Sequence, residues 1–412
     1  MLVTRSLARL SAVLSFAYVL RGQVLGIPFT ALELAIVATL VSYVVEKLRA
    51  GERFPDPRRL PYAWPLALLL VASTVAVAVA PDVRAAAGIW KAYFLEPMLF
   101  AYVLADVLRA PWELEKMVAG FFWSGILVSV FEILAFLYAF GVGYQHLVDA
   151  PVVVIYFSPN ATGLFLGPLL AMAAAFILFG HRSERIRAIF FSAWALPALV
   201  LSFSRGAWLA LVAALLFLAW QHRARLPMLA GVGLLAASSL LVPAVRQRIE
   251  HVLNPTDPLN SVNLRGNLWR ATLQMQSDPR NALLGTGLSG FKEGIKPYRD
   301  FAGYSEDLIY PHDIFLNFWT ETGLLGLAAF LWLAVDWTRR TWRTLAARGA
   351  LRPYFLAVAA GSIAILVHGL IDVPFFKNDL AFLTLSLVGI QVAALRQQGR
   401  GVGEPPKATP ST

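Results

Sequence analysis

From its first turns onward the chain is a succession of apolar runs near twenty residues long, parted by short polar breaks. About 20 apolar residues in a helix cross about 30 Å of hydrocarbon. Twelve runs qualify or nearly so, at about 6–20, 24–46, 62–80, 85–108, 117–140, 160–179, 187–203, 206–220, 227–242, 314–337, 353–371 and 379–396. The first is short, and only "SRG" separates the seventh from the eighth. Charged residues make up 15% of the 412, against about 25% in a soluble domain. The pattern predicts an all-α polytopic membrane protein with about twelve transmembrane helices, seated in a phospholipid bilayer.

The same breaks set the orientation. With the N-terminus inside, the inside segments hold 22 of the 35 Lys and Arg residues, and the short outside loops hold only Arg21, Arg84, Arg205 and Lys377. The positive-inside rule then puts both termini in the cytoplasm and the one long polar interval outside. The expected layout is helices 1–9 over 1–242, an outer (periplasmic) loop over 243–313, helices 10–12 over 314–396 and a polar cytoplasmic tail over 397–412. Within the loop, "VRQRIEHVL" and "LRGNLWRATLQMQS" have helical spacing and suit short surface helices. Arg5 and Arg9 precede the first apolar run as in a signal peptide, but no small-x-small cleavage site follows, so the run is read as an uncleaved helix. A net charge of +10 invites a nucleic-acid reading, yet the charges lie between runs rather than on one face, which excludes it. The chain has no cysteine, hence no disulfide framework, thiolate metal site or thiol nucleophile.

Few residues are placed to carry chemistry. In "YPHDIFLNFWTETGLLG", His312 and Asp313 stand at the head of an apolar helix. A histidine at a membrane interface is ordinarily structural, but here the helix dipole and nearby arginines favour the neutral ring, which can act as a general base. Unpaired amides at the same helix start attract anions. Asp313 reads as a cap or first-turn acid that could also orient the imidazole. Arg205, in "LSFSRGAWLAL", sits in a three-residue hairpin rather than at a long helix end where arginines snorkel. Its planar fork of donors suits a phosphate or pyrophosphate there. Arg265, in "NLRGNLWRA", with Arg270 further on, would be an ordinary loop arginine except that it shares the outer compartment. Lys91, Glu96, Asp106, Glu132, His368 and Asp372 are further polar residues in or near the runs, with Lys91 and Glu96 close enough to pair within one helix. Asn160 reads as a cap. There is no D-x-D and no Cys/His cluster, so neither a divalent metal site nor another cofactor is expected.

With Arg205 in "SFSRGAWLAL", Arg265 in "LRGNLW" and the segment "PHDIFLNFWTETGLLG", the chain resembles the O-antigen ligase/polymerase superfamily, and within it the O-antigen ligases of lipopolysaccharide assembly. The likeness runs from about Asn160 to Asp372, together with the twelve-span plan. It implies a metal-independent, inverting glycosyltransferase of the bacterial inner membrane with a periplasmic active site formed partly by the long loop. The donor would be an undecaprenyl-pyrophosphate-linked glycan and the acceptor a sugar hydroxyl of lipid A-core. His312 would deprotonate that hydroxyl, Arg205 and Arg265 would bind the pyrophosphate, and Asp313, Lys91 and Arg270 would be supporting candidates. Where the family often has Asn after the histidine, this chain has Asp313. The alternatives are an O-antigen polymerase, a protein O-oligosaccharyltransferase, or a lipid-linked glycan transporter, whose polar path would use Lys91, Glu96, Asp106 and Glu132.

Overall fold

The polar breaks between apolar runs act as helix caps. In the computed structural model, which describes residues 1–24, 27–145, 153–156, 158–239, 241, 243, 246, 250, 254, 260–298, 308–346 and 349–403, nearly all of the apolar runs are helical. Thr30 and Glu33 form a reciprocal capping box: Glu33 N donates to Thr30 Oγ1 at 3.1 Å, and Thr30 N donates to Glu33 Oε2 at 2.6 Å. Asp82 accepts from Ala85 N at 3.0 Å and Ser158 from Ala161 N at 3.3 Å. Each cap satisfies an amide that the first helical turn leaves without a partner.

The helices are α1 (Leu2–Val13), α2 (Ala31–Arg49), α3 (Ala63–Val79), α4 (Val83–Trp90), α5 (Glu96–Val107), α6 (Pro111–Gly141), α7 (Pro159–Phe179), α8 (Arg182–Leu201), α9 (Arg205–Gln221) and α10 (Arg225–Ser239). After the long polar interval begins come α11 (Ser261–Gln276), α12 (Pro279–Leu284) and α13 (Phe291–Gly294). The last three are α14 (Ile314–Thr344), α15 (Arg352–Gly369) and α16 (Asn378–Gly403). The apolar α7 is buried along almost its whole length and packs against α8, α9 and α15. Close approach uses missing side chains, as membrane helix contacts do: a Cβ on Gly163 would come 2.6 Å from that of Ala207. Elsewhere α16 lies on α5 and α14 on α3.

Among the described residues, five helices are long and apolar enough to cross a membrane: α6, α7, α14, α15 and α16. Others among the twelve expected spans are shorter or interrupted, for identifiable reasons. The first run ends as α1 at Val13 and continues as a 3₁₀ turn over Ser15–Val19. The second run does not start as a helix. Its capping box begins α2 only at Ala31, and the residues before it pair as antiparallel strands β1 (Arg21–Val24) and β2 (Ile27–Thr30), with Arg21 opposite Thr30. The fourth run is split by a π-helical turn over Lys91–Leu95. Pro97, which has no N–H to give the preceding turn, explains the wider loop of backbone there. The helix α16 runs through the first residues of the expected tail. The helix expected over 245–253 lies outside the described residues apart from Arg246 and Glu250, which pair at 3.4 Å. The second expected loop helix is present as α11, and it packs Leu268, Ala271 and Met275 against Phe291, Ile295 and Leu308 in a small core of its own.

The most consequential departure lies inside α14. Gly323 has φ 67° and ψ −173°, so the helix is broken there. Two donors from the long interval meet the carbonyl this exposes: Thr286 N and Thr286 Oγ1 reach Thr320 O at 2.6 and 3.0 Å. Trp319 Nε1 donates to Ala282 O at 2.9 Å, and Ser289 N to Glu321 Oε2 at 2.8 Å. Non-helical backbone at such a place survives only where protein supplies its bonds. A side chain at 323 has no room, since a Cβ would stand 2.3 Å from Leu283 O. Gly323→Ala is therefore expected to cost about 1–3 kcal/mol for the backbone conformation alone, with the clash added. It should show as a lower apparent Tm and loss of the monodisperse fraction in detergent. An unchanged Tm would mean that α14 tolerates a continuous helix.

Candidate active site

His312 is held in a turn that its own preferences would not choose. Its φ is +53°, a left-handed conformation uncommon outside glycine, and such strain concentrates at functional sites. Three contacts impose it. Trp269 Nε1, on α11, donates to Pro311 O at 3.0 Å. Asp313 Oδ1 accepts from Leu316 N at 2.8 Å and caps α14. The Tyr310 ring meets the imidazole edge-on, with centroids 4.8 Å apart.

The partner of the imidazole is Asp372, not Asp313. His312 Nδ1 lies 3.3 Å from Asp372 Oδ1. The cap bond commits Asp313 to the backbone, so the ring-orienting role expected as an option for it falls to the loop between α15 and α16. Asp372 is buried, and Oδ1 also accepts from Val373 N at 2.9 Å. Burial pushes its carboxyl up, but the His312 hydrogen bond and the charges of the histidines and Arg265 outweigh that and hold it well below the usual carboxylate range. Burial pushes the Tyr310 phenol up, with Asp372 adding and Arg265 opposing. The carboxyl of Asp313 is also raised by burial, against two backbone hydrogen bonds.

Arg265 belongs to this cluster. It lies one turn before Trp269 on α11, hence on the face that reaches Pro311. Its charge acts on Asp372, His368 and Tyr310. Its Nε is buried with no hydrogen-bond partner, so part of a planar fork of donors is unmet. Arg205 opens α9, and the residue after it meets the same cluster: a Cβ on Gly206 would come 2.7 Å from His368 Nε2. Ser204 Oγ donates to Asn160 Oδ1 at 3.0 Å, so Asn160 makes a helix contact while Ser158 supplies the cap of α7. The start of α9, the end of α15, the head of α14 and one face of α11 thus converge.

Two supporting candidates stand elsewhere. Arg270 is exposed, and among the described residues no contact ties it to His312. Lys91 pairs across helices, with Glu33 Oε1 at 2.9 Å and more loosely with Glu96 at 3.8 Å. It lines a cavity on the Tyr310 side of the histidine.

The arrangement is competent for proton abstraction. An ionised Asp372 accepts the Nδ1 proton, which leaves Nε2 as the acceptor. Once the ring takes up a second proton, the carboxylate stabilises the charge. The tie to α11 has a measurable consequence. Trp269→Phe removes one hydrogen bond worth about 0.5–1.5 kcal/mol, so turnover is expected to fall several-fold, up to about tenfold. Full activity in that variant would mean that the turn holds its shape without α11.

Residues 190–331 match the family model described as O-Antigen ligase. The matched stretch contains Arg205, Arg265 and His312, and it stops short of Asp372. No curated protein matches the chain. Over that stretch, about a third of its length, the chain is similar to the O-antigen ligases.

Proposed function

We propose that the protein is a glycosyltransferase that moves O-antigen polysaccharide from undecaprenyl pyrophosphate to a sugar hydroxyl of lipid A-core, with inversion and without a metal ion. The observation that carries this reading is the His312–Asp372 pair at 3.3 Å beside Arg265, whose Nε is unbonded. His312 Nε2 takes the proton of the acceptor hydroxyl, whose oxygen attacks the anomeric carbon. The bond from that carbon to the pyrophosphate oxygen breaks on the opposite face. The leaving undecaprenyl pyrophosphate carries off the electron pair, and Arg205 and Arg265 stabilise the charge on its oxygens. A site at the outer face of the inner membrane suits two substrates that are both anchored in lipid.

The transporter alternative would need its intramembrane charges to form a path. Each has a partner instead: Asp106 meets Lys47 at 2.7 Å, Glu132 meets Thr162 at 3.0 Å, and Lys91 meets Glu33 closely and Glu96 loosely at 3.8 Å. The reading is tested by offering the purified protein labelled undecaprenyl-pyrophosphate glycan with either lipid A-core or a second lipid-linked repeat, in EDTA. Label on lipid A-core is the expected result. Elongation of the lipid-linked chain alone would make the protein a polymerase, and a requirement for added Mg²⁺ would contradict the metal-free chemistry.

A further inference from the structure

Tyr310 also lines a cavity of about 480 Å³ that the chemistry above does not use, and neither His312 nor Asp372 is among its lining residues. Its walls come from the hairpin, α4, the π-helical turn, α14 and the loop before α16, and charged and polar side chains interrupt an otherwise largely apolar lining. Arg21, Lys91 and Lys377 line it, as do Asn317 and Glu321, one turn apart on α14. Lys91 is neutralised by Glu33, whereas among the described residues no carboxylate forms an ion pair with Arg21 or Lys377, and the Lys377 charge acts at longer range on the buried Asp379. Asn317 is the second observation. It is 0% exposed, and neither its Oδ1 nor its Nδ2 has a hydrogen-bond partner. A buried amide with both ends unmet is rare in a folded protein and calls for an explanation. A ligand that gives and accepts a hydrogen bond there would satisfy both ends.

The cavity's place relative to His312 suggests what that ligand is. Tyr310 forms part of its wall and touches the imidazole edge-on. Arg265, whose charge acts on Asp372 and His368 as well as on Tyr310, is not among the lining residues. In an inverting displacement the attacking hydroxyl and the leaving phosphate stand on opposite faces of the anomeric carbon, so the base that serves the hydroxyl lies on the acceptor's side, and a cavity beside that base suits the acceptor. We propose that this cavity is the acceptor subsite and takes a sugar bearing an anionic substituent. The Asn317 amide bonds ring hydroxyls, and Arg21 and Lys377 meet the negative group. This rests on the transferase reading above.

The test compares binding of two probes to the full-length protein in detergent: lipid A-core and undecaprenyl-pyrophosphate glycan. Arg21→Gln combined with Lys377→Gln should weaken lipid A-core binding by about tenfold or more, as loss of charged hydrogen bonds implies, and leave donor binding within about twofold. Lipid A-core stripped of its phosphates should bind wild type as weakly as the intact acceptor binds the double variant. If stripping changes nothing while the double variant still binds weakly, a carboxylate is the group recognised. Asn317→Leu, of similar size, should weaken the intact and the stripped acceptor equally. Weakened donor binding in the double variant, or no change for either probe, would overturn the assignment. Transfer is assayed on the same samples. Absence of transfer to lipid A-core by wild type would sink the ligase reading, while the binding data would still decide the cavity.

Discussion

His312→Asn should yield a folded, membrane-inserted protein whose glycan transfer is slower by about 10²- to 10⁴-fold, the usual loss when a general base is removed. Asparagine is the better replacement because it tolerates the left-handed backbone at +53°, whereas alanine there adds strain. Donor binding should persist, since the pyrophosphate is assigned to the arginines. Asp372→Asn should fall between wild type and this variant. The same Oδ1 accepts from both Val373 N and His312 Nδ1, so an amide can keep the ring's orientation while losing the charge that stabilises imidazolium. The double variant should be no slower than His312→Asn alone, because residues that act as a unit are not additive. Additive losses would separate Asp372 from the chemistry.

Arg265→Ala and Arg205→Ala should each reduce transfer by about 10²- to 10³-fold, the range for removing one donor to a developing oxyanion. Unlike the histidine variant, both should also weaken binding of undecaprenyl pyrophosphate. Lysine at either position should restore part of the rate, because it keeps the charge and loses the planar fork. A steady-state assay with a donor titration reads both effects. Wild-type donor affinity in Arg265→Ala would remove that arginine from the pyrophosphate site and leave its buried Nε unexplained.

Much of this was legible in the chain, and what was not legible was non-local. Apolar runs located the helices because the period of burial and the length of a span are local properties. The head of α14 was legible for the same reason, since Pro311, His312 and Asp313 form one turn with its cap. The break at Gly323 was hidden because apolar residues continue on both sides of it. Only the approach of Leu283 and Thr286 from the long interval makes a positive φ necessary. Asp372 lies 60 residues from His312; "HGLIDVPFF" marked it as a polar residue near a span but could not say what it faces. Asp313, adjacent in sequence, was the obvious candidate, and the capping bond removes it. Lys91 was read as a partner for Glu96 within one helix, and the pair is loose at 3.8 Å because its stronger partner, Glu33, comes from another helix.

The central claim is that a neutral His312 receives the proton of the attacking hydroxyl. It is tested most directly by the single-turnover transfer rate as a function of pH, measured with both lipid substrates saturating in proteoliposomes. Under those conditions binding and product release drop out, and the rate follows the protonation state of the base. Imidazolium has no lone pair to offer, so the wild-type rate should fall on the acid side as one group protonates. In His312→Asn the residual rate should be low and should lack that limb. An acid limb that persists unchanged in His312→Asn, or a rate close to wild type, would contradict the account.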